Sequence, residues 1–212
     1  MAKAKTVFFC SECGHESSKW LGQCPACKSW NTFVEEKQSV TKKGGAKPRR
    51  ASASPMNMSE VSIKSEERIP TGIGELDRVL GGGIVTGSLS LVGGDPGIGK
   101  STLLLQVCRN LVNAKRKVLY VSGEESAHQI KMRAERIGAF EDELLLFCET
   151  ILEEILEGIR KVRPEFVVID SIQTMFSEEL TAAAGSVSQV REVTAQMMRI
   201  AKEENIAVFI VG

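Results

Sequence analysis

A mostly parallel α/β domain, preceded by a small four-cysteine metal ribbon, is the fold class this sequence predicts. Three observations predict it. From about Arg68 onward, short apolar runs alternate with amphipathic segments, the pattern of strands joined by crossover helices. A glycine-rich turn, Gly94-Asp-Pro-Gly-Ile-Gly-Lys-Ser101, stands between one such strand and one such helix. Two Cys-x-x-Cys pairs fall within the first 27 residues. The 212-residue chain is 42% apolar and 25% charged, which suits one medium domain with an appendage and excludes a wholly disordered chain.

Taken in order, residues 1–36 hold four of the six cysteines and both tryptophans, Trp20 and Trp30. Residues 37–66 are rich in Lys, Ser and Gly with few core-forming side chains, and read as a flexible basic linker. Residues 67–212 form the α/β part. Ser88–Gly93 is a short buried strand. Ser101–Asn113 is a helix, with Leu104, Leu105, Val107, Cys108 and Leu111 at helical spacing. Lys117–Ser122 is the next strand and Ser126–Ile137 the next helix. Leu144–Phe147 is a third strand, followed by a helix over Ile151–Arg163 that Pro164 stops. Phe166-Val-Val-Ile-Asp170 carries four apolar residues in a row, as a strand covered on both faces does. Val187–Glu204 is a long helix and Ile206–Val211 a last strand. Ending on a strand with no closing helix, the pattern reads as an incomplete domain.

Basic and acidic side chains balance at 27 each, but residues 1–67 carry 11 Lys/Arg against 7 Asp/Glu. The offset hints at an anionic partner for the front of the chain without naming it. No apolar run approaches the roughly 20 residues of a membrane helix. The stretch before Cys10 is too short for a secretion signal, so a cytoplasmic protein with no membrane partner is expected. There the cysteines are not expected to pair as disulfides.

The turn matches GxxxxGK[ST] with its strand and helix both in place. Gly94, Gly97 and Gly99 let backbone N–H groups turn inward on phosphate oxygens, with Asp95, Pro96 and Ile98 completing the loop. Lys100 is expected at the β- and γ-phosphates, the Ser101 hydroxyl at Mg²⁺ and Thr102 near the α-phosphate. Asp170, closing an apolar strand, fits a carboxylate holding water on Mg²⁺; its other use is to cap the next segment. Glu124 and Glu125 follow the strand ending at Ser122. Glu124 is the candidate to orient the attacking water, and its neighbour the candidate helix cap.

Cys10-x2-Cys13-x10-Cys24-x2-Cys27 is the spacing of a zinc ribbon, two knuckles completing one tetrahedron. A 36-residue segment cannot hold a core unaided, so the metal is its fold. Gly14 suits the left-handed turn of a knuckle. Redox use of a Cys-x-x-Cys pair needs a βαβ setting that is missing here, while iron fits the same four thiolates as Zn²⁺. The tryptophans are expected to pack on the ribbon in preference to stacking on bases, and His15 to be exposed. Cys108 and Cys148 read as small core residues, His128 as surface, and Met175, Met197 and Met198 as packing.

Three blocks go beyond a generic phosphate loop. They are the ribbon with Phe9-Cys-Ser-Glu-Cys-Gly14 and Lys19-Trp-Leu-Gly-Gln-Cys-Pro-Ala-Cys27, the lead-in Arg68-Ile-Pro-Thr-Gly-Ile-Gly-Glu-Leu-Asp-Arg-Val-Leu-Gly-Gly-Gly83, and Val121-Ser-Gly-Glu-Glu-Ser126. The last two resemble RecA-like and KaiC-like ATPases; all three together resemble the RadA (Sms) family of bacterial DNA-repair proteins. The resemblance implies a RecA-like core that uses ATP and Mg²⁺, a Zn²⁺ ribbon, and a ring-forming DNA-dependent ATPase. It also implies branch migration on single-stranded or branched DNA alongside the RecA recombinase. In such cores the glutamate after the second strand activates water, which supports Glu124, and a loop after the Asp170 strand meets DNA. Here that loop, residues 177–188, has no Lys or Arg and reads from its residues as mobile. The family's later motifs are not reached before Gly212. A nucleotide-switched binding module without efficient turnover, and a KaiC-like ATPase acting on protein, are the competing readings.

Overall fold

The computed structural model describes residues 5–38, 57–58, 68–140 and 144–212; most of the basic linker, Lys42 to Arg50 included, lies outside them. In the ribbon, β1 (Lys5–Cys10) pairs antiparallel with both β2 (Glu16–Ser17) and β3 (Phe33–Gln38). Its two knuckles repeat one backbone pattern. Gly14 N–H donates to Cys10 O and Cys10 N–H to His15 O; Lys28 N–H donates to Cys24 O and Cys24 N–H to Ser29 O. Gly14 (φ +70°) and Lys28 (φ +63°) take the same left-handed place.

The second unit begins with an Ile69–Ile84 bridge around α1 (Gly74–Val79), within the Arg68–Gly83 lead-in. There follow β4 (Leu89–Val92), α2 (Lys100–Asn113), β5 (Val118–Ser122), α3 (Ala127–Ile137) and β6 (Leu145–Cys148). Next come α4 (Leu152–Val162), β7 (Phe166–Asp170), a 3₁₀ turn (Ile172–Thr174), α5 (Val187–Glu204) and β8 (Ala207–Val211). The five strands lie parallel in the order β4-β8-β7-β5-β6.

The period of two along each strand divides the core. Val118, Tyr120, Phe166, Val168, Ala207 and Phe209 face one side, with Leu104, Leu105, Cys108, Leu111 and Ile130 of α2 and α3. Leu119, Val121, Val167, Ile169, Val208 and Ile210 face the other, with Leu152, Ile155, Val193 and Met197 of α4 and α5. Both faces are therefore covered, and each Val, Leu, Ile, Phe or Met among these side chains contributes about 1.5–3 kcal/mol by leaving water. From β5 the chain steps outward to β6, whereas from β7 it steps the opposite way to β8. The carboxyl ends of β5 and β7 thus flank a reversal of strand order, where open α/β sheets bind ligands.

Helix ends follow local chemistry. Ser126 and Gln129 form a reciprocal capping box on α3, so neither Glu124 nor Glu125 is the cap. Ser186 caps α5 and Asn205 ends it in left-handed geometry. Cys108 is fully buried, as expected, and burial pushes its thiol pKa up. Cys148 is a correction. It ends β6, the edge strand of the sheet, and is exposed.

Candidate functional site

Glycine-permitted turns build the phosphate loop, with Gly94, Gly97 and Gly99 all at positive φ and Gly99 opening α2. The Lys100 ammonium folds back onto its own loop, donating to Gly94 O at 2.5 Å and Asp95 O at 3.0 Å. Ser101 Oγ donates to Asp170 Oδ1 at 3.1 Å, joining residues 69 apart in sequence. The hydroxyl of Tyr120, in the middle of β5, donates to Asp170 Oδ2. Burial, reinforced by the Asp170 carboxylate, raises the Tyr120 pKa, so the phenol stays a donor. Asp170 is thereby occupied on both oxygens and caps nothing.

Glu124 and Glu125 diverge. Ser171 Oγ donates to Glu124 Oε1 beside the end of β7. The Glu125 carboxylate instead meets Arg133 of α3, with Nη1 to Oε1 and Nη2 to Oε2 both at 2.9 Å. Gly123 lets the β5 end pass close to the 3₁₀ turn, since a Cβ there would stand 2.2 Å from Thr174 Oγ1. Beside the phosphate loop lies a cavity of about 580 Å³. Lys100, Ser101, Thr102, Glu124 and Asp170 line it with Gly94, Pro96, Gly97 and Gly99; Asp95 and Ile98 do not. Asp95 serves through its backbone carbonyl, and the Ile98 side chain turns outward. Hydroxyl and carboxylate oxygens at the foot of a phosphate loop are the hard donor set that suits Mg²⁺.

Sequence reasoning missed Tyr120, Arg133, Ser171 and Gln173, all but Tyr120 lining the cavity. Arg133 did leave a signal, falling between Ile130 and Ile137 on the inward stripe of α3, where an arginine needs a partner.

In the ribbon the four Sγ atoms of Cys10, Cys13, Cys24 and Cys27 lie within 4.8 Å of one another. Cys10–Cys27 and Cys13–Cys24 approach to 3.6 Å. Sulfurs about 2.3 Å from a tetrahedral ion stand about 3.8 Å apart, so the cluster fits a four-coordinate metal with no open position. Burial opposes ionisation of Cys10, but hydrogen bonds with Thr32 Oγ1 and nearby backbone N–H groups hold its pKa down at about 6. The His15 backbone favours the Cys13 thiolate, yet burial and the neighbouring sulfurs push that thiol up to about 12. His15 packs edge-on against Phe33 at 6.4 Å, not simply exposed. Trp20 and Trp30 lie on the surface of the ribbon, 53% and 68% exposed; Trp20 Nε1 donates to Phe33 O, and a Cβ on Gly22 would stand 3.9 Å from both rings.

The loop after β7 is not free. Gln189, fully buried at the start of α5, accepts from Ser177 N–H at 2.8 Å. Its Nε2 donates to the carbonyls of Ser177, Leu180 and Ala182.

A domain family described as AAA domain matches residues 59–212, and one described as rubredoxin metal binding domain matches residues 8–35. The whole chain aligns with proteins called DNA repair protein RadA. Identity is 54% to those of Halalkalibacterium halodurans and Listeria monocytogenes and 50% to that of Bacillus subtilis. The chain spans 47% of the length of each of these relatives. No helix among the described residues is long and apolar enough to cross a membrane.

Proposed function

The chain belongs to the AAA domain family and matches the N-terminal 47% of RadA proteins over its whole length; from that premise we propose that it binds ATP with Mg²⁺ and hydrolyses it for DNA repair. The observation that carries the reading is the Ser101–Asp170 hydrogen bond. It unites a phosphate-loop hydroxyl with a buried carboxylate beside a cavity of suitable chemistry. In this reading Lys100 leaves its own loop carbonyls to neutralise the β- and γ-phosphates. The loop from Gly94 to Gly99, with Asp95, Pro96 and Ile98 in its backbone path, presents N–H groups to phosphate, and Thr102 stands at the α-phosphate. Ser101 and Asp170 hold the cation, which when bound neutralises charge on the transferred phosphoryl group. Glu124, held by Ser171 and free of Arg133, orients water and takes its proton.

Cys10, Cys13, Cys24 and Cys27 hold Zn²⁺ as the fold of the ribbon. In the complete protein the reading is a homo-oligomeric ring acting with the RecA recombinase in branch migration on single-stranded or branched DNA. The RadA relatives support the DNA-repair part of that statement.

The test is ATP turnover with and without single-stranded DNA, by this chain and by one extended to the relatives' length, each beside Lys100→Ala. DNA-stimulated turnover that Lys100→Ala abolishes is the expected result for the extended protein. Turnover indifferent to Lys100→Ala would place the chemistry elsewhere.

A further inference from the structure

Arg133 is an arginine in an unusual position. Its side chain is 16% exposed, borders the cavity and faces two carboxylates. Glu125 takes it in the two-pronged contact described above, and Asp170 Oδ2 lies 4.0 Å from Nη2. Arg133 Nε and Nη2 donate no hydrogen bond among the described residues. A guanidinium withdrawn from water is tolerated only where anions hold it. The reach has a simple origin. Arg133 sits two turns into α3, side chains lean toward a helix's N-terminus, and the capping box fixes where that helix begins. Glu125, just before the cap, therefore meets Arg133, while Glu124 points to Ser171.

We propose that Arg133 is a positioning residue of the phosphate site: pinned by Glu125, it fixes the Asp170 carboxylate for Mg²⁺ and leaves Glu124 as the glutamate facing the cavity. The inference rests on the ATP and Mg²⁺ reading above and adds a residue to it. One guanidinium neutralises one of its two carboxylates, so a negative charge remains at Asp170 for the cation to meet. Tyr120 and Ser101 steer the two Asp170 oxygens from the other sides. Partners one step removed from a metal hold its ligands in place, and their loss weakens metal use by about 10–100-fold.

The experiment titrates Mg²⁺ into the chain with a fluorescent ADP analogue and follows nucleotide binding, with EDTA as the metal-free reference. The variants are Arg133→Lys, Arg133→Gln and the double change Arg133→Met with Glu125→Gln. Arg133→Gln is expected to raise the half-saturating Mg²⁺ concentration about tenfold or more, measured against that variant's own metal-free ADP binding in EDTA; Arg133→Lys recovers part of the loss. The double variant removes both charges together, so it regains the parent's melting temperature but not its Mg²⁺ response. A parent-like Mg²⁺ response in Arg133→Gln, or its recovery in the double variant, would overturn the proposal and leave a structural ion pair. Lys100→Ala separates the two levels. If it binds ADP as the parent does, the phosphate-loop reading fails and the inference fails with it. If only the Arg133 variants behave like the parent, the inference alone fails.

Discussion

Replacing Gln189 with Leu should loosen the segment between β7 and α5 at a calculable cost. The volume is nearly kept, so the change isolates the four hydrogen bonds of the amide. The Leu180 and Ala182 carbonyls lie on a partly exposed loop and can turn to water at little cost. Ser177 O retains the Leu180 N–H, which donates to it at 3.3 Å. The Ser177 N–H is different: the residue is buried and Gln189 Oε1 is the partner of that donor. An orphaned buried donor costs about 1–3 kcal/mol, and the lost net bonding adds about 0.5–1.5 kcal/mol. The expected loss is therefore about 1.5–4.5 kcal/mol. The assay is urea unfolding followed by far-UV circular dichroism, because both tryptophans lie in the ribbon and their emission does not report on the α/β core. Hydrogen exchange at Ser177 reads the same loss locally. A Leu variant within about 0.5 kcal/mol of the parent, with Ser177 still protected, would refute the reasoning.

Tyr120→Phe strips one donor from the Asp170 carboxylate and should lower stability by about 1.5–3 kcal/mol, the range for bonds to charged groups; denaturant midpoints measure it. Gly123→Ala should destabilise by about 1–3 kcal/mol, because the added methyl meets Thr174 Oγ1 at 2.2 Å and Thr150 Cγ2 at 3.0 Å. A melting temperature equal to the parent's would show that the 3₁₀ turn yields freely. Chelating the ribbon metal should change tryptophan emission and leave the α/β circular dichroism in place; loss of both signals together would show that the two units stand or fall as one.

The parallel strands were legible because β5, β7 and β8 are apolar on both faces, so a short continuous run identifies each one. Helix α5 was legible to the residue, with a serine before it and a left-handed asparagine after it. The phosphate loop and the four cysteines declare themselves by spacing. The relation between distant side chains was hidden. Tyr120 reads as one more apolar strand residue until β5 lies beside β7, pairing Tyr120 with Val168 and Ser122 with Asp170. The difference between Glu124 and Glu125 depends on Ser171 and Arg133, which reach them from β7 and α3. Cys148 was misjudged for the converse reason. Apolar neighbours in sequence suggested burial, but Cys148 stands at the end of an edge strand and is exposed.

The nearest sulfur contacts in the ribbon run between knuckles, Cys10 to Cys27 and Cys13 to Cys24. An oxidant reaching the ribbon while its fold persists would therefore find its pairs across the tetrahedron and not within a Cys-x-x-Cys loop. Two such crosslinks would tie the start of the segment to its middle, retaining the ribbon's topology in covalent form. They would also deny the thiolates to any returning ion until a reductant released them.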